Sequence, residues 1–214
     1  MTVADEAPIK LILINPRYDS HTQITSAWAS DIHKDVPVYH RLEGEQITPD
    51  QLRSILADLN GPALIAFYGH GTEEELLAHQ SENTSRPLIG IAGVCVLPAE
   101  LSSHRIYAVA CLAGSKLGPA LQGASCEFIG YKDDFAIATA FEDRFKSIVN
   151  QALIDWANGQ SVKEVWSGLS KAWKDLAETM RSTRTREQPV HMSFRTLAAA
   201  FALFNRKSLM YFST

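Results

Sequence analysis

Two short apolar runs, each ending in a reactive side chain, restrict what this chain can fold into more than any other feature. The first, Ala63-Leu64-Ile65-Ala66-Phe67-Tyr68, leads into Gly69-His70-Gly71; the second, Ile106-Tyr107-Ala108-Val109-Ala110, leads into Cys111-Leu112-Ala113-Gly114-Ser115. Both are nearly continuous, rich in branched and aromatic residues, and closed by small residues and a polar turn. A strand buried on both faces of a parallel sheet reads this way. In such sheets ligands meet the loops beyond the carboxyl ends of the strands. His70 and Cys111 are therefore expected at one crevice, where a thiol has a base beside it and backbone donors for an oxyanion.

The remaining chain fits one α/β domain over residues 1–214. With 214 residues, 46% of them hydrophobic, it can bury an ordinary single core. A net charge of -4 and a pI near 6.0 give no general attraction to nucleic acid. Residues 1–8 are short and polar, with Asp5 and Glu6, unlike a secretory leader, so a flexible amino terminus and a cytoplasmic location are expected. No run approaches the roughly 18 to 20 apolar residues of a membrane span. Cys95, Cys111 and Cys126 form no CxxC pair, which argues against a disulfide framework or a zinc site, and no cofactor is expected.

In chain order, Ile9–Asn15 reads as a buried strand, with the polar loop Arg17-Tyr18-Asp19-Ser20 emerging at the same sheet edge as His70 and Cys111. A short helix is expected around Trp28 and Ile32, then an edge strand over 36–42 that tolerates Pro37. Thr48 caps a helix with Pro49 at its first position and Leu52, Ile55, Leu56 and Leu59 on one face. Residues 72–86, with Glu73, Glu74 and Glu75, read as a surface loop or short helix, and Leu88–Val96, with Gly90 and Gly93, as a small rim hairpin. A short helix over Lys116–Leu121 and a strand over Cys126–Tyr131 follow Cys111. Beyond Thr139 the pattern turns helical: one helix to Trp156, a second after Ser161 with Val162, Val165, Leu169, Trp173, Leu176 and Met180 on one face, and a last over Arg195–Asn205 before a strand at Leu209–Phe212. The basic stretch 181–189 lacks periodicity and is expected to be a mobile loop. Arg184 and Arg186 make it a candidate autoprocessing site, the plain alternative being an ordinary charged loop.

Gly69-His70-Gly71 after one buried strand and Ala110-Cys111-Leu112-Ala113-Gly114-Ser115 after the next long one resemble the His-Gly and Cys pair of caspase-like cysteine peptidases, the CHAT domains in particular. Gly114 to Leu121 with Phe128-Ile129-Gly130-Tyr131 is similar to the segment that follows the cysteine in CHAT domains, and Leu203-Phe204-Asn205 through Phe212 resembles their terminal helix, asparagine and strand. The resemblance spans roughly residues 9–212 and implies an αβα sandwich with a mostly parallel central sheet. It implies a thiol endopeptidase in which His70 is general base and acid, Cys111 the nucleophile, and the amides of Gly71 and Cys111 the oxyanion donors. A protein or peptide substrate, a sensor or regulatory partner protein, and a regulated role in cell death or antiviral defence are further implications. Two departures concern the substrate: Val109 and Ala110 stand where metacaspases carry an acidic residue, and Ala113 where many relatives have serine.

For the residue before the cut, Asp19, Asp133 and Asp134 favour Arg or Lys, whereas Arg17 favours an acidic residue, and the sequence leaves both open. Cys95 and Cys126, without a partner base, read as small core residues, and the other histidines as surface or structural. Two other functions fit the same residues: a non-catalytic interaction module that keeps the fold, and a small-amide hydrolase using the same dyad.

Overall fold

The strands obey the periodicity expected of them, and their order determines where the crevice lies. The computed structural model describes residues 9–44, 47–81, 84–182 and 189–214, with only the backbone of 189–192. Its strands are β1 (Lys10–Pro16), β2 (Val38–Gly44), β3 (Ala63–Tyr68), β4 (Glu75–Gln80), β5 (Ser85–Gly90), β6 (Arg105–Val109), β7 (Glu127–Tyr131) and β8 (Leu209–Phe212). Six form one sheet in the order β2-β1-β3-β6-β7-β8, parallel except for β8, while β4 and β5 form a separate antiparallel pair. From β1 the chain steps outward to β2 and then back past β1 to β3. The strand order therefore reverses between β1 and β3, and the carboxyl ends beside such a reversal are where open α/β sheets take ligands.

Because side chains alternate across a strand, each central strand feeds two cores. Leu11 and Leu13, Leu64, Ala66 and Tyr68, Tyr107 and Val109, and Ile129 and Tyr131 lie on one face. Ile12 and Ile14, Ala63, Ile65 and Phe67, Ile106, Ala108 and Ala110, and Phe128 lie on the other. The first face is covered by α1 (Ser20–Ser30), α4 (Glu142–Ala157), α5 (Val162–Ser182) and α6 (Pro189–Ser208), which contribute Trp28, Phe145, Trp156, Trp173 and Ala198. The second is covered by α2 (Pro49–Ala57), α3 (Leu117–Gly123) and the β4–β5 hairpin through Leu52, Leu117, Leu121, Leu76 and Leu88. The result is an α/β sandwich of three layers with a mostly parallel sheet and a small antiparallel hairpin. Each Leu, Ile or Phe so buried contributes about 1.5–3 kcal/mol relative to leaving it exposed. No helix among the described residues is long and apolar enough to cross a membrane.

Local signals account for most boundaries. Thr48 and Gln51 cap α2 reciprocally, and Asp19 caps α1 by accepting from the Thr22 amide. Three expectations are corrected. Residues 72–86 are not loop or helix: β4 runs through them with Leu76, Leu77 and Ala78 buried, paired to β5. The hairpin is thus Glu75–Gly90, and Leu88–Val96 holds only the end of β5 and the turn beyond it. The final helix starts at Pro189 rather than Arg195, and Arg181 and Ser182 finish α5, so the expected loop over 181–189 is helical at both ends. The rest of that stretch, with Arg184 and Arg186, and the amino-terminal residues 1–8 lie outside the described residues.

Candidate active site

The two reactive residues stand one step beyond the paired parts of adjacent strands. β3 and β6 are in parallel register from Leu64 opposite Arg105 to Tyr68 opposite Val109, and the Gly69 amide continues the pairing by donating to the Val109 carbonyl at 3.2 Å. The same register carried two residues further brings His70 opposite Cys111. Alternation then decides the face. Tyr68 and Val109 both point into the core under α1 and α4, so His70 and Cys111 point to that side as well, and Cys111 packs against that core. Neighbouring parallel strands lie about 4.8 Å apart.

Backbone geometry at the cysteine is unusual. Leu112 adopts φ 61°, and the Ala113 amide donates to the Cys111 carbonyl at 2.7 Å, closing a tight turn of the γ type. A left-handed branched residue of this kind costs about 1–3 kcal/mol and persists where its surroundings enforce it, commonly at functional sites. The enforcing contacts are the Leu112 amide on the Asp133 carbonyl at 3.0 Å and the Gly114 amide on the Tyr131 carbonyl at 2.8 Å. Against the turned Cys111 carbonyl lies Gly71, where an added Cβ would stand 2.7 Å from that oxygen. The Thr72 amide donates to Glu75 and the Leu77 amide to His70, so the Gly71 amide falls between these bonds. Neither it nor the Cys111 amide donates to a backbone carbonyl among the described residues.

His70 is held from β1. Its Nε2 lies 2.8 Å from Asp19 Oδ2, while Asp19 Oδ1 accepts from the Thr22 amide at 2.8 Å and from its hydroxyl at 2.9 Å. Burial pushes the Asp19 carboxyl up, but the Thr22 amide, the His70 ring and the Thr22 hydroxyl outweigh it and leave the group below its ordinary range. An ionised Asp19 favours the tautomer with the proton on Nε2, which frees Nδ1 as an acceptor. The ring is packed between His21, stacked at 5.2 Å, and Tyr18 at 5.7 Å. Burial, followed by the charge of His70, lowers the pKa of His21.

Cys111 is half-buried and free, and its Sγ accepts from the Phe135 amide at 3.3 Å. Burial pushes the thiol up, the Phe135 amide opposes it, and the Asp134 carboxylate pushes it up further. α3 begins only at Leu117 and is 7 residues long. A helix dipole acts within its first turn, and Cys111 lies outside it. Cys126 is fully buried with its thiol pushed up to about 12, and Cys95 is fully buried as well.

The other expected site residues separate. Asp134 is exposed beside the thiol, and Asp133 is half-buried with its carbonyl holding Leu112. Asp19, expected to line the substrate pocket, has both oxygens engaged, one by His70 Nε2 and one by the Thr22 amide that opens α1. Arg17 points away from the pair: its guanidinium bonds Ser26 and Glu43, and Glu43 is on β2, on the far side of β1 from β3.

Compared with family models, with curated proteins and with solved structures, the chain matches none.

Sequence reasoning did not single out Phe135, whose amide meets the sulfur, and it named Asn205 only within the resemblance, without its hold on the next residue. Apolar or buried residues distant in sequence leave no local signature of such contacts. Among the described residues no group of three or more His, Cys, Asp or Glu is arranged to hold a metal ion.

Proposed function

We propose that this chain is a cysteine endopeptidase of the caspase-like, CHAT type, with His70 as general base and acid and Cys111 as nucleophile. The observation that carries the reading is the parallel register of β3 and β6, which ends at Tyr68 and Val109, two residues before His70 and Cys111. The Cys111 thiol passes its proton to Nδ1 of His70, and the sulfur attacks the scissile carbonyl. The amides of Gly71 and Cys111 hold the resulting oxyanion. His70 returns the proton to the departing amine, and a water molecule, deprotonated by His70, then hydrolyses the thioester. Asp19 keeps the imidazole in the tautomer this sequence of steps needs.

The exposed Asp134 carboxylate beside the sulfur favours a basic residue before the cut, and the pairing of Arg17 with Glu43 on β2 supports that preference over an acidic one. A protein substrate and a regulated effector role in cell death or antiviral defence, under a sensor or regulatory partner protein, complete the proposal. The second reading, a non-catalytic module, is favoured by the half-burial of Cys111, which pushes its thiol up.

Exposure alone makes Cys111 easier to label than Cys95 or Cys126, so the deciding comparison is with His70→Ala. Wild type is expected to cut members of a peptide library after Arg or Lys, and Cys111→Ala to cut none. A thiol-directed probe should label Cys111 at least tenfold more slowly in His70→Ala. Equal labelling with and without His70, together with no cut peptide, removes the peptidase and leaves the module.

A further inference from the structure

The group that meets the Cys111 sulfur is a backbone amide on the segment after β7, and that segment is itself held from the far end of the chain. Asn205, in the last turn of α6, is 0% exposed. A buried carboxamide is costly unless both ends are paired. Here one residue satisfies both: the Ala136 amide donates to Asn205 Oδ1 at 2.9 Å, and Asn205 Nδ2 donates to the Ala136 carbonyl at 2.8 Å. The side chain thus acts on Ala136 as a neighbouring strand does, fixing the peptide units on both sides of it. The residue immediately before is Phe135, whose amide lies 3.3 Å from Cys111 Sγ. Its ring is buried against Tyr131, Trp28 and Trp173, with centroids at 4.8, 6.4 and 6.2 Å, so it cannot follow a loosened backbone outward without losing that packing.

The start of the segment has anchors of its own. The Lys132 amide donates to the Ser208 carbonyl at 2.9 Å, and the Asp133 carbonyl accepts from Leu112 at 3.0 Å. These hold the segment to the sheet edge at its start, and the Asn205 pair holds it again directly after Phe135. We infer that Asn205 is a positioning residue for the Cys111 nucleophile: by clamping Ala136 it keeps the Phe135 N–H on the sulfur. The clamp stands whether or not peptides are the substrate, although its use in catalysis rests on the function proposed above.

An N–H donated to sulfur favours the thiolate over the thiol. The titratable groups around that sulfur are Asp134 on the clamped segment, His70 at the neighbouring strand end, and Asp19 and His21 behind His70. Asp134 is exposed, and solvent and salt screen its charge, so loss of the Phe135 donor outweighs any retreat of Asp134.

The test is the pH profile of Cys111 alkylation by a small thiol reagent, without peptide, in wild type and in Asn205→Leu, which keeps a similar volume and removes both hydrogen bonds. The midpoint is expected to move to higher pH, with alkylation at pH 7 slowed about threefold or more, since half a pKa unit is that factor. Cys95 and Cys126 staying unlabelled shows that the variant is folded. Where Asn205→Leu does not fold, Asn205→Asp keeps the acceptor for the Ala136 amide, loses the donor, and is expected to shift the midpoint the same way. Hydrogen exchange at the Ala136 amide of the unaltered chain covers failure of both variants: slowed exchange supports the clamp, and exchange at the free-peptide rate overturns it. An unshifted midpoint in a folded variant also overturns it. A shifted midpoint in a protein that cuts no peptide leaves the clamp and removes the peptidase, whereas peptide cleavage with an unshifted midpoint does the reverse.

Discussion

Asp19 carries two duties on one carboxylate, and the duties can be separated by a single atom. One oxygen caps α1 through the Thr22 amide, and the other meets His70 Nε2. Asparagine is as good a cap as aspartate, so Asp19→Asn keeps the helix start and removes only the charge facing the imidazole. Stability is expected to stay within about 0.5 kcal/mol of wild type, as a conserved cap implies. Peptide turnover is a different matter. Where a buried triad aspartate is replaced this way the rate falls about 10⁴-fold; the Asp19–His70 pair is partly exposed, with side chains 39% and 23% accessible, so a fall of about 10- to 100-fold in kcat/KM is expected. Urea midpoints and peptide kinetics on the same preparation check both halves. An unchanged kcat/KM would reduce Asp19 to a cap.

At the scale of elements, the close approach of two strand ends is what lets the site exist, and Gly71 permits it. A methyl group there would stand 2.7 Å from the Cys111 carbonyl, a backbone atom that is already committed to the turn at Leu112. Gly71→Ala is therefore expected to cost about 1–3 kcal/mol, the range for overpacking, and to slow Cys111 labelling by separating β3 from β6. Gly123→Ala, with nothing within 4 Å of the new methyl, serves as the control and should leave both readouts near wild type. Denaturant unfolding and labelling rates decide. The glycine, the histidine and the buried strand before them were legible because six consecutive apolar residues leave one interpretation. The same holds for β6, and for α5, whose apolar residues recur at helical spacing. β4 was not legible: its buried core is only Leu76-Leu77-Ala78, and the acidic residues before it read as surface. The Asn205 clamp was still less so: the resemblance named the asparagine, but its partner Ala136 lies 69 residues away and carries no signal of the contact.

The molecule as a whole carries a pH dependence that begins at the opposite end of β3 from the site. His104 Nδ1 accepts from the Ala63 amide at 3.0 Å, and this needs the nitrogen unprotonated. Burial lowers the His104 pKa, and burial followed by the His70 charge lowers that of His21. As pH falls below about 6.5, the unfolded chain takes up protons that the folded one refuses, so stability is full above that value and declines as acid is added. Asp19, whose folded pKa is depressed, adds a second loss at lower pH, as the medium falls through the carboxylate range. Urea midpoints are accordingly expected to hold level from pH 8 to 7, to fall between 6.5 and 5, and to fall again towards pH 3. In His104→Gln the first decline should shrink, whatever its stability at pH 8, because only the titration has been removed. A midpoint constant from pH 8 to 5 in wild type would show that neither histidine is held neutral by the fold. Because β3 runs unbroken from Ala63 to the residue before Gly69, protonating His104 loosens the same strand that presents His70. Peptide turnover after a return to pH 7 should then recover fully, since the loss is one of folded population and not of chemistry.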